Sequence, residues 1–170
     1  ENISYFDKKI LVPFGEFLPF RNYLGIFVPI SGSNDYTKGA KLRSIKISEG
    51  LSYIPVICYE IVFYWKLINK LNYNNNLIIN ITNDIWFGKF LGPYQHLYLA
   101  KLRAAEFNKK LVRVSNNGIS AIIDEKGSLL SFIDLNDKKS IRYNLTINQN
   151  DNFYITHYLL NIYLLVIILL

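Results

Sequence analysis

The sequence contains no methionine, not even at position 1, and only one cysteine, Cys58. One cysteine excludes an internal disulfide, so cysteine usage leaves the redox compartment open. There is no zinc-ligand spacing, no glycine-rich phosphate loop and no nucleic-acid-binding motif. No metal, cofactor or nucleic-acid partner is therefore expected. From Phe153 to Leu170 there is no Lys, Arg, Asp or Glu. The chain ends within the apolar run "YLLNIYLLVIILL", with no polar stop. Together with the missing initiator, this leads us to expect an excerpt of a longer chain, cut at both ends.

At 170 residues the chain is long enough for one domain with a sizeable core. The formal charge of +6 is spread along the sequence rather than gathered in a block. A diffuse basic excess fits an anionic membrane surface, a nucleic acid or an ordinary solvated surface.

Along the chain, "ILVPFGEFLPF" is apolar but broken by Pro13, Gly15 and Pro19, and reads as a short strand entering a loop. "LRSIKIS" alternates like a half-buried edge strand. Ile54–Cys58 is a continuous apolar run, as in a strand covered on both faces. "IVFYWKLINKL" has helical spacing, "LIINITN" reads as another buried strand, and "GPYQHLYLAKLRAAEFN" as the best helix. In that helix Pro93 suits the first turn, and Leu97, Ala100, Ala104 and Phe107 form a stripe. "KLVRVSN" is a strand, and "GISAIID" and "SLLSFID" form a hairpin around "EKG". This order predicts α/β layers.

We divide the sequence at residue 152. Residues 153–170 are predicted to form a membrane-spanning helix, itself truncated. Seventeen helical residues from Tyr154 span about 25 Å, slightly short of a ~30 Å hydrocarbon core. Tyr154, His157 and Tyr158 stand where an interfacial belt belongs. A buried core helix is the alternative, but no polar face survives in the last nine residues.

Cys58 lies where a buried strand meets a helix. A thiol is a weak nucleophile until it becomes a thiolate, and a nearby cation or helix N-terminus promotes that. The junction would aim the sulfur outward, with the Tyr59 N–H turned toward the same point, where an oxyanion could be held. By base rate a lone buried cysteine is an inert small hydrophobe. Three other stretches fall at predicted strand ends, where sites assemble in layered α/β folds. They hold Lys8 or Lys9 with Glu16, then Trp86 and Phe87 beside Gly88, then Ser115, Asn116, Asn117 and Gly118. Each also has a bland reading: a solvated lysine, a packing pair, a hairpin turn.

Taken together and in order, "LVPFGEFLP", "ICYEIVF", "NDIWFG…GPYQHLYLAKLRAAE" and "VRVSNNGISAIID" resemble the nitrilase superfamily, and within it the apolipoprotein N-acyltransferase family. The likeness covers roughly residues 5–130, plus the membrane segment. It implies a nitrilase-like α-β-β-α sandwich, here partial, over residues 1–152, followed by the transmembrane helix. It implies a Glu-Lys-Cys triad with Cys58 as nucleophile. The lysine is Lys8, three residues before Leu11 and 50 residues before Cys58. Glu16, Tyr59 and Glu60 match positions that support the site. Glu16 and Glu60 are expected to orient Lys8, although Glu60 would also suit a cap on the helix after Cys58. Trp86 and Phe87 are candidates for an acyl or lid surface.

The triad glutamate belongs upstream of Lys8, where only Glu1 stands, too close to match. It is therefore expected to lie outside this sequence, and the 170-residue piece to be inactive alone. The resemblance implies a phospholipid acyl donor, a diacylglyceryl apolipoprotein acceptor, and a bacterial inner-membrane location facing the periplasm. The alternatives are a soluble amidase acting on small amides or nitriles, and a non-catalytic membrane-anchored module.

Overall fold

The structure, a computed structural model, describes residues 5–23, 34–40, 44–63, 67 and 76–146. They build one six-stranded mixed sheet whose spatial order follows the chain. β1 (Ile45–Ser48) forms an antiparallel hairpin with β2 (Leu51–Ile57), turning at Gly50, whose φ of 75° favours glycine. β3 (Leu77–Thr82) and β4 (Lys110–Ser115) continue the sheet parallel to β2. β5 (Ser120–Ile123) and β6 (Leu129–Ile133) close it with antiparallel pairings.

The crossover from β3 to β4 contains α1 (Leu91–Phe107). Its stripe of Leu97, Ala100, Ala104 and Phe107 is buried in one cluster with Ile54, Val56, Ile78, Leu111, Ala121 and Ile123 of the sheet. The two alanines are fully buried. The helix ends at Asn108, whose left-handed φ of 50° asparagine tolerates, and whose N–H returns to the last turn.

The sheet face away from α1 carries Ile79, Ile81, Val112 and Val114, of which Ile81 and Val114 are more than half exposed. The described residues thus supply one sheet and one helical layer of a nitrilase-like α/β sandwich. Three expectations need comment. "ILVPFGEFLPF" forms no strand, only an isolated bridge between Pro13 and Phe17. The turn after β2 is a 3-10 helix over Cys58–Val62, and much of the helix expected over 61–71 lies outside the described residues. The predicted membrane span at 153–170 also lies outside them, and among the described residues no helix is long and apolar enough to cross a membrane.

Because β2, β3 and β4 are parallel and paired in register, their C-terminal ends share one edge of the sheet. Cys58, the Asn83–Phe87 turn and the Ser115–Gly118 turn all follow directly from those ends.

Candidate active site

Cys58 is the first residue after β2 and has φ of 50°, a left-handed conformation that a non-glycine residue adopts only when its surroundings hold it there. Part of that hold is Glu60. Its side chain is fully buried, and its Oε2 accepts the Ile57 N–H at 2.7 Å, capping the 3-10 turn. Its Oε1 accepts two further backbone N–H groups, from Lys9 at 2.7 Å and Ile10 at 3.0 Å. Glu60 therefore ties the cysteine turn to the lysine segment through the backbone. The ammonium of Lys8 goes elsewhere: it donates to both oxygens of Glu16, at 2.7 and 2.8 Å. Glu16 also accepts the Val12 N–H at 2.9 Å. The Lys8 carbonyl accepts the Gly39 N–H at 2.8 Å, and a Cβ on Gly39 would lie 2.3 Å from the Asp7 carbonyl oxygen. That approach is closed to any residue but glycine.

A cavity of about 270 Å³ opens on Cys58 and Tyr59, with Val12 and Glu16 on one side and Asn83, Trp86 and Phe87 on the other. Lys8 lines an adjoining cavity of about 580 Å³, and Glu16 is common to both. Trp86 is 54% exposed, so it is a wall of the site rather than a core residue. Phe87 serves both purposes, packing edge-on against His96 with ring centroids 5.1 Å apart. Tyr59 stacks edge-on with Phe63. Ser115–Gly118 forms the β4–β5 turn. A Cβ on Gly118 would lie 2.1 Å from Asp84 Oδ2, so that turn presses directly on Asp84.

The sequence reading missed a buried polar cluster beneath this edge. Arg113 of β4 has a fully buried side chain, and its Nη2 donates to Asp84 Oδ2 at 2.6 Å. Its Nη1 donates to Asn80 Oδ1 at 2.6 Å and its Nε to the Ile119 carbonyl at 3.2 Å. Asp84 Oδ1 accepts from Thr82 at 3.0 Å and lies 2.9 Å from His96 Nδ1. Burial works to raise the Asp84 carboxyl, but the hydrogen bond to His96 and the charge of Arg113 hold it below the ordinary carboxylate range. Burial pushes the Arg113 guanidinium down, against the charge and hydrogen bond of Asp84. One signal was available: strand alternation sets Arg113 on the same face as Leu111.

With this geometry in view, the comparisons identify the family. The carbon-nitrogen hydrolase family matches residues 27–149, and the chain belongs to it. Solved structures agree on the fold. A CN-hydrolase superfamily protein from Xanthomonas campestris superposes with a TM-score of 0.54 at 18% identity, covering 79% of this chain and 49% of that one. A glutamine-dependent NAD+ synthetase from Acinetobacter baumannii gives 0.58 at 14% identity, covering 79% and 24%. In sequence the chain is similar to proteins called apolipoprotein N-acyltransferase. That of Rhizobium rhizogenes is 40% identical over 135 residues, 78% of this chain and 25% of the relative. That of Vibrio cholerae is 34% identical over 128 residues, 74% and 25%. The chain thus spans about a quarter of the length of these curated relatives.

Proposed function

We propose that these residues are part of an enzyme that moves a fatty acyl group from a phospholipid to the N-terminal amine of a diacylglyceryl-cysteine apolipoprotein, through a thioester on Cys58. The observation that carries this reading is the strained Cys58 turn, facing a largely apolar cavity and tied by Glu60 to the segment bearing Lys8. The acyl-transfer name of the curated relatives supports the same reaction class.

The Cys58 proton passes to a general base, which the family pattern makes a glutamate. The sulfur attacks the sn-1 ester carbonyl, and the tetrahedral oxyanion is held by the Lys8 ammonium and the Tyr59 N–H. Removing one such donor typically slows a reaction ~10²–10³-fold. The C–O bond breaks, and the lysophospholipid alkoxide takes the proton and leaves. The acceptor amine then attacks the thioester carbonyl. The C–S bond breaks, the amine proton returns to the base, and the sulfur is regenerated beside an N-acylated lipoprotein. Glu16 holds Lys8 aimed, Glu60 keeps the two segments in register, and Trp86 and Phe87 face the acyl chain. Both substrates are lipidic, so the reaction belongs at the bacterial inner membrane, with the catalytic domain on the periplasmic side and residues 153–170 as part of the anchor. A soluble amidase or a non-catalytic module has no comparable support from the relatives.

Mass spectrometry of full-length protein mixed with phospholipid should find a fatty acyl group on the Cys58 peptide, removable by hydroxylamine. Acyl transfer that persists in Cys58→Ala would falsify the proposal.

A further inference from the structure

The mechanism leaves the Arg113 cluster unused. A fully buried ion pair is a poor stabiliser, because well-packed apolar residues of similar volume do as well or better. Its position is therefore the informative fact. The cluster reaches the ends of β2 and β3, the 84–87 turn and α1. Asn80, held by Arg113, donates its Nδ2 to the Val56 carbonyl at 3.0 Å, two residues before Cys58. Asp84 opens the 3-10 turn that presents Trp86 and Phe87. His96, against both Asp84 and Arg113, comes from α1 and packs on Phe87. Any side chain at Gly118 would collide with Asp84.

We propose that Arg113 is a positioning residue for Cys58: its guanidinium, clamped by Asp84 and donating to Asn80, braces the strand end that presents the sulfur. The inference rests on Cys58 being the nucleophile. The brace fixes the Val56 carbonyl from the sheet side, two residues before the attacking sulfur.

The test uses full-length protein carrying Arg113→Gln together with Asp84→Asn, so that neither charge is left unpaired. Two readouts are the rate of Cys58 alkylation by iodoacetamide and the rate of acyl-thioester formation, with thermal melting as the control for folding. The expected result is a folded protein whose thioester formation slows about tenfold or more because the sulfur loses its aim, while alkylation, which demands no particular approach, slows less. A folded pair variant with wild-type rates overturns the proposal. Should the pair fail to fold, Arg113→Lys decides, since it keeps the charge and loses the fork onto Asn80. Slowed thioester formation in that variant upholds the proposal, and wild-type rates overturn it. Alkylation needs no lipid, so it is read independently of the acyl-transfer reaction. Loss of the acyl-transfer reading would appear instead as activity in Cys58→Ala.

Discussion

The two sides of the candidate site are held in different ways. The cysteine side is sheet-built: β2, β3 and β4 pair in register, and the Arg113 cluster locks their ends from within the core. The lysine side, residues 5–23, has no strand or helix, and Pro13 and Pro19 remove two of its backbone donors. Of the remaining donors, Lys9 and Ile10 go to Glu60 and Val12 goes to Glu16. Buried backbone N–H groups must find acceptors, and here carboxylates do what a neighbouring strand does elsewhere. The difference teaches that one side should survive changes that release the other.

The largest effect is expected at Glu60, whose carboxylate bonds to both sides. Glu60→Ala leaves the N–H groups of Lys9, Ile10 and Ile57 without their acceptor, in places water reaches poorly. The expected destabilisation is about 3–5 kcal/mol, measurable by urea denaturation, with thioester formation reduced by ~10³ or more. Glu60→Gln keeps the shape but turns an amide donor toward one of those donors, and should fall between wild type and alanine on both measures. Wild-type stability in the alanine variant would refute the tie between the two sides.

Glu16→Gln sharpens the comparison by touching the lysine side alone. Lys8 and Glu16 are partly exposed, at 12% and 21% for the side chains, so their ion pair contributes little to folding. The expected stability change is below about 1 kcal/mol. Activity should nevertheless fall ~10–10²-fold, because the ammonium loses its aim. Equal losses of stability and activity would show that the two segments are not separately held.

The same contrast explains what was legible in the sequence. The sheet side was, because alternation and helical spacing are local patterns: the β2 run, the α1 stripe of Leu97, Ala100, Ala104 and Phe107, and the hairpin around Gly127 are found where expected. The lysine side was misread as a short strand, because its apolar residues satisfy the pattern while its hydrogen bonds run to side chains 4 to 51 residues away. Cys58, Lys8, Glu16 and Glu60 were singled out together only through family resemblance. Their joint placement depends on contacts across the fold that no local window contains. Arg113 escaped because an arginine in a strand reads as solvated by default. Its inward register is visible in "LVRVS", but its partners come from β3, the following turn and α1.

Acid should weaken the cysteine side through Asp84. Its carboxyl lies below the ordinary range in the folded protein, with burial opposed by His96 and Arg113. The unfolded chain holds the same carboxyl at about 3.9, so the Asp84 contribution is complete above that pH and is lost as the pH falls through the lower folded value. Full-length protein followed by thermal melting should therefore lose an extra increment of Tm below pH 4. Asp84→Asn should start from a lower Tm at neutral pH and lack that increment. If both proteins lose Tm in parallel below pH 4, the charge on Asp84 has no part in holding the strand ends, and the cysteine side rests on its sheet hydrogen bonds and apolar core alone.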